Sequence, residues 1–188
     1  AGLRNRLGAA EMGGKTGTTD DNADAWIMND DGTNQTQLTT YSGEDRWPIL
    51  SPDGTKVAYV SVHNNQYQLW VMNSDGTSQV QLPMTGGFQR MSWSPDGSQL
   101  AVTNDSVDFW EVWTVNADGT NPTRITTHPG ATGSPSWSPN GQRIVYATYN
   151  NGNQDLYTVN SNGTNPTLLV SASATGASNH NPAWSPDG

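Results

Sequence analysis

The chain of 188 residues carries a formal net charge of -9 and no Cys, with eight Lys and Arg against seventeen Asp and Glu. Without Cys there is neither a disulfide framework nor a thiolate metal site, and without a basic cluster there is no set of phosphate contacts to grip nucleic acid. No apolar run approaches the roughly 20 residues of a membrane span, and nothing in the sequence asks for a cofactor.

In chain order, residues 1–12, "AGLRNRLGAAEM", hold two Arg but no long apolar centre, so they do not read as a secretory signal. Residues 13–19, "GGKTGTT", are too rich in Gly for a good strand. Asp20, Asn22 and Asp24 follow as a D-x-N-x-D run whose oxygens suit calcium. The run lacks the Gly and the twelfth-position Glu of an EF-hand loop, so a solvated hairpin loop is the plainer reading and metal binding stays open. We expect an N-terminal segment over 1–22 and a repeat region over 23–188.

The repeat is about 44 residues long. Ser-Pro-Asp/Asn-Gly occurs at Ser51, Ser94, Ser138 and Ser185, with spacings of 43, 44 and 47. A second motif interleaves with it: "DAWIMNDDGT" (24–33), "QLWVMNSDGT" (68–77), "EVWTVNADGT" (111–120) and "DLYTVNSNGT" (155–164). From the Gly of the first motif to the aromatic of the second the interval is always 16: Gly54 to Trp70, Gly97 to Trp113, Gly141 to Tyr157.

Each period contains four strand-like runs, as in "PSWS" (135–138), "RIVYAT" (143–148), "DLYTVN" (155–160) and "PTLLV" (166–170). Pro presets one turn dihedral and Gly accepts positive φ, so both motifs close hairpins cheaply. Four antiparallel strands per 40–45 residues make a propeller blade. The expected fold is all-β: a propeller of about four four-stranded blades, partial or completed by oligomerisation. Inner strands are expected near 47–50, 91–94, 134–138 and 181–185, with Trp93, Trp137 and Trp184 filling the wedges between blades. Ten Leu, twelve Val, four Ile and two Phe are a thin aliphatic supply, and eight Trp and six Tyr make up for it, since aromatics bury more area each.

"WSPDG" at 93–97 and 184–188, with "LWVMNSDGT", resembles the TolB-like propeller repeat, over roughly residues 24–188. The same repeat occurs in the propellers of prolyl-oligopeptidase-type enzymes. The first copy departs from the pattern, with Leu50 where the others have Trp. The resemblance implies a non-catalytic binding or scaffolding module, acting by protein–protein interaction in an extracytoplasmic setting (periplasm, cell envelope or secreted).

Upstream, "GGKTGTTDDNADAW" is similar to the segment of penicillin-binding transpeptidases in which a Lys-Thr-Gly strand turns into an Asp-Ala-Trp strand, and the match spans about residues 2–26. In that family the Lys and Thr of the box work beside a Ser-x-x-Lys nucleophile and a Ser-x-Asn motif. The Ser-x-x-Lys nucleophile is absent: Met12 and Asp53 stand three residues before Lys15 and Lys56. Without a nucleophile there is no acyl-enzyme. The alternatives to a binding module are therefore a fragment of a transpeptidase fusion, or the propeller of a serine hydrolase. No Gly-x-Ser-x-Gly elbow accompanies it.

His63, His128 and His180 occupy different repeat positions, which does not suit a zinc site. What varies just ahead of the inner strands is more informative, because the fold needs only the shared positions. Glu44, Asp45, Arg46, Gln89, Arg90, Asn179 and His180 should ring one mouth of the central channel, as a binding set for a protein partner or a small polar ligand. Pairing of residues 13–19 with 181–185 within the chain would close a tight four-bladed ring; pairing of these terminal strands with another copy, the expected outcome, gives a homo-oligomer.

Overall fold

A computed structural model of the chain describes residues 24–29, 31–40, 43–107, 109–150, 153–176 and 178–188. Residues 13–19 and the candidate calcium ligands Asp20 and Asn22 lie outside them. The fold is all-β, in two compact units that divide between Thr85 and Gly86.

The first unit opens with a two-stranded hairpin, β1 (Trp26–Ile27) and β2 (Thr36–Gln37). A four-stranded antiparallel sheet follows in sequence order: β3 (Glu44–Leu50), β4 (Lys56–His63), β5 (Gln66–Asn73) and β6 (Val80–Gln81). The second unit holds two more such sheets. One comprises β7 (Phe88–Trp93), β8 (Gln99–Asn104), β9 (Glu111–Asn116) and β10 (Thr123–Arg124). The other comprises β11 (Thr132–Trp137), β12 (Arg143–Asn150), β13 (Asn153–Asn160) and β14 (Thr167–Val170), followed by a four-residue helix, α1 (Ala172–Thr175). Among the described residues there are thus three four-stranded blades and the outer pair of another.

The two motifs explain the hairpins atom by atom. In Ser-Pro-Asp-Gly the Ser51 hydroxyl donates to Asp53 Oδ1 at 2.6 Å and accepts the Lys56 N–H at 2.9 Å. Gly54 sits at φ 75 and closes the turn onto the Ser51 carbonyl. Ser94 with Asp96, and Ser138 with Asn140, repeat the pattern. In the Asp-Gly-Thr turn, Asn73 Nδ2 donates to Thr77 Oγ1, whose hydroxyl donates to Asp75 Oδ1 at 2.6 Å. Asn29, Asn116 and Asn160 do the same in their own copies. The β4–β5 connection is a two-residue turn, Asn64 and Asn65 at φ 50 and 60, the left-handed pair that matches strand twist.

Inner strands differ from expectation. They begin about three residues early, because a bulge interrupts each one and pairing resumes on its far side. Register shifts fall between Arg46 and Ile49, between Phe88 and Met91, and between Gly133 and Ser136. In β3 and β11 the bulge holds Pro48 or Pro135, which has no N–H to give to a ladder. The fourth expected inner strand, 181–185, has no ladder.

Cores form where one sheet stacks on the next. In the second unit Ala101, Val112 and Ile125 meet Trp137, Ile144, Tyr146 and Val159, with Tyr157 against them. In the first, Ala25 and Leu38 beside the hairpin meet Val57, Tyr59 and Met72. Tyr59 and Trp70, directly opposite in register, stack with ring centroids 6.4 Å apart, and Tyr146 with Tyr157 at 5.9 Å; such cross-strand pairs stabilise a sheet. Trp93 and Trp137 are buried at 7% exposure each. Trp184 is half-buried, its indole N–H donating to the Ser136 carbonyl at 3.1 Å.

Candidate functional site

The inner strands place the expected site residues. Side chains alternate across a strand, so the run Glu44-Asp45-Arg46 splits. Glu44 and Arg46 face one way and form an ion pair at 2.5 Å, each about one third exposed. The Arg46 guanidinium lies 5.9 Å from the Trp47 ring centre and 5.7 Å from that of Tyr67, and donates to the Tyr67 hydroxyl at 3.3 Å. Its hydrogen bond to Glu44 and the charge of Glu44 raise the Arg46 pKa against the effect of partial burial. The result is a planar cation held beside two aromatic rings. Asp45 points the other way and is 3% exposed.

In the second unit Gln89 and Arg90 are exposed on β7. Their strand is anchored at its start: the Gly87 N–H donates to the Asp105 carboxylate, and Asn104 Nδ2 donates to the Gly87 carbonyl at 3.0 Å. Asn179 is tied to the Gln154 carbonyl through both its backbone N–H, at 3.0 Å, and its side-chain amide, at 3.2 Å. His180 next to it is exposed.

Three further residues belong with this set. Trp47, Ser134 and Asn181 each stand four residues before a motif Ser, and each has φ 53. A left-handed Trp is a conformational outlier, and such strain concentrates at functional positions. Ser134 Oγ donates to Asn181 Oδ1 at 3.0 Å. The signal for them was in the sequence, since each precedes a Pro (48, 135 and 182) at one repeat position. Alternation patterns do not flag bulges, and so they were missed.

Buried polar groups outside these strand ends serve the scaffold. Glu111, fully buried, accepts from Arg124 Nη2 at 2.8 Å, from Thr132 Oγ1 at 3.1 Å and from the Thr126 hydroxyl. The motif serines Ser51, Ser94 and Ser138 are committed to their turns. A hydroxyl–imidazole contact exists between Thr148 and His128 Nδ1 at 2.9 Å, but Thr148 is 0% exposed and cannot meet a substrate. Among the described residues no three His, Cys, Asp or Glu side chains converge as a metal site, and no helix is long and apolar enough to cross a membrane.

A family model described as the TolB beta propeller domain matches residues 26–188. The chain belongs to that family. The match leaves the Lys-Thr-Gly segment outside it. Similar solved folds include TolB from Acinetobacter baumannii (TM-score 0.74, 20% identity, covering 87% of this chain and 40% of that one). A protein from Agrobacterium tumefaciens assigned as TolB matches with TM-score 0.71 and 20% identity, covering 79% of this chain and 56% of that one. A prolyl endopeptidase matches with TM-score 0.64 and 15% identity, over 79% of this chain and 26% of that one. The chain thus spans about half or less of these structures, and the likeness is one of fold. No curated protein sequence matches it significantly.

Proposed function

We propose that the chain is a non-catalytic TolB-type binding or scaffolding module that works outside the cytoplasm by engaging a protein partner at the inner-strand ends. The carrying observation is the Glu44–Arg46–Trp47–Tyr67 cluster: an Arg paired with a carboxylate and set beside two aromatic rings at a bulge, the residue types that dominate binding energy in interfaces. In the second unit the exposed Gln89, Arg90 and His180, and the Ser134–Asn181 pair, extend the same reading. A small polar ligand at these ends is the second form of it.

The competing reading makes the chain part of an enzyme. Its support is the fold likeness to a prolyl endopeptidase and the resemblance of residues 2–26 to a transpeptidase box. The chain's described Ser and Thr hydroxyls offer that reading no activated nucleophile. Incubation with fluorescent penicillin and with a fluorophosphonate separates the two readings: no specific covalent labelling is expected, and labelling of this chain would sink the module reading. Surface-immobilised chain should capture a partner from an envelope fraction, and Arg46→Ala should weaken that capture at least tenfold while leaving the melting temperature in place. Self-association through residues 181–185 stays part of the proposal, and a strict monomer by light scattering at tens of micromolar would remove it.

A further inference from the structure

The internal repeat exposes a charge imbalance in the first unit. Glu111, Arg124, Thr126 and Thr132 of the second unit have counterparts 87 residues earlier: Asp24, Gln37, Thr39 and Asp45. The backbone is the same in both copies. Thr126 Oγ1 accepts the Val112 N–H at 2.9 Å, and Thr39 Oγ1 accepts the Ala25 N–H at 2.9 Å. The position of Arg124, which donates to Glu111 Oε1 at 2.8 Å, is held by Gln37, which donates to Asp24 Oδ2 at 2.7 Å.

The charges do not correspond. In the second unit one carboxylate meets one guanidinium, and Thr132 adds a hydroxyl donor. In the first, the guanidinium is replaced by a neutral amide and the Thr by a second carboxylate. Asp45 is 3% exposed, and neither of its oxygens makes a hydrogen bond. The hydroxyls of Thr39 and Ser61 lie beside it without reaching hydrogen-bond geometry, and the charge of Asp24 bears on it. A buried carboxylate with no partner is strongly destabilising if it stays ionised. The same position two repeats later, Thr132, is fully satisfied.

We propose that Asp24, Asp45 and the hydroxyl oxygen of Thr39 bind one calcium-class divalent cation, which takes the place that Arg124 holds in the second unit. The donors are all hard oxygens, as calcium and magnesium require. The cation neutralises two carboxylates at the seam between hairpin β1–β2 and blade β3–β6, and so ties the hairpin to the blade. The Asp20-Asn22-Asp24 run suggested by sequence shares one residue, Asp24, with this site.

Calcium titrated calorimetrically into the EDTA-treated 188-residue chain should bind at one site, with a Kd of about 10⁻⁴–10⁻³ M, the range of weak extracellular sites. At about ten times that Kd the melting temperature should rise by about 3 °C or more. Asp45→Asn should weaken calcium at least tenfold. Gln37→Arg should restore the internal cation: it should raise the melting temperature in EDTA and abolish the response to calcium. If Asp45→Asn does not fold, Gln37→Arg alone decides, and a calcium response retained there overturns the proposal. So does binding that Asp45→Asn leaves unchanged, since other surface carboxylates are then the ligands. Absence of saturable binding of calcium or magnesium up to about 10 mM also overturns it.

Discussion

The Ser138 hydroxyl does two jobs at once: it donates to Asn140 Oδ1 at 2.8 Å and accepts the Arg143 N–H at 2.9 Å, in a site 3% exposed. Ser138→Ala leaves the Arg143 N–H without its acceptor, while Asn140 Oδ1 keeps the Gln142 N–H at 3.0 Å, and should cost about 1–3 kcal/mol, read as a lower urea midpoint at unchanged slope. Turn glycines divide by what surrounds them. Gly141 has φ 70, and a Cβ there would first meet Pro95 Cδ at 3.7 Å. Gly163 has φ 83, and its Cβ would meet the Ile125 carbonyl oxygen at 3.2 Å. Gly141→Ala should therefore cost only the left-handed penalty of about 1–2 kcal/mol, and Gly163→Ala measurably more in the same urea experiment. The sequence showed that these positions turn, because Pro, Asp and Gly have fixed turn chemistry. It did not show the second contact, which depends on a carbonyl 38 residues away.

Among the elements, second and third strands of each blade were the most legible, since apolar runs flanked by two turn motifs leave one register open. "RIVYAT" is β12 less its last two residues, and "DLYTVN" is the body of β13. The outer strands shrink to two residues in three of the four copies, too little for any pattern to mark. The inner strands were displaced because a bulge breaks the period of two on which the reading rests. The same break put Asp45 among exposed candidates when it is buried. Trp137 was correctly assigned to a wedge, where it packs against Ala101, Val112 and Ile125 of the preceding blade. Trp137→Ala should cost about 3–5 kcal/mol, as for other large-to-small changes in a core. Phe109→Ala, at 53% exposure, should leave thermal stability nearly unchanged in the same calorimetric scan.

At the scale of the whole molecule, pH sets two opposing trends. Asp31, Asp75 and Asp118 are held below the ordinary value of 3.8 by hydrogen bonds from Thr33, Thr77 and Thr120. Asp53 and Asp96 are lowered mainly by the Ser51 and Ser94 hydroxyls, with the following residues adding to it. A lowered carboxylate contributes stability above its unfolded value and loses it as pH falls through the folded one. These five are solvated, so each contributes little; together they turn the curve downward below about pH 4. Asp45 acts with the opposite sign. Burial raises its pKa above 3.8, the charge of Asp24 adds to that, and the nearby hydroxyls of Thr39 and Ser61 oppose it. The folded chain then binds a proton that the unfolded chain has released, so stability falls as pH rises from 3.8 through the raised value, and stays low beyond it. In EDTA the melting temperature should therefore peak in mildly acidic buffer and decline towards neutrality. Asp45→Asn should erase the decline on the neutral side and leave the acid limb in place. Calcium should flatten the same neutral limb in the wild-type chain, because it supplies the charge that the proton supplies at lower pH. A profile that rises steadily from acid to neutral in EDTA would show that Asp45 carries no unpaired charge in the folded chain.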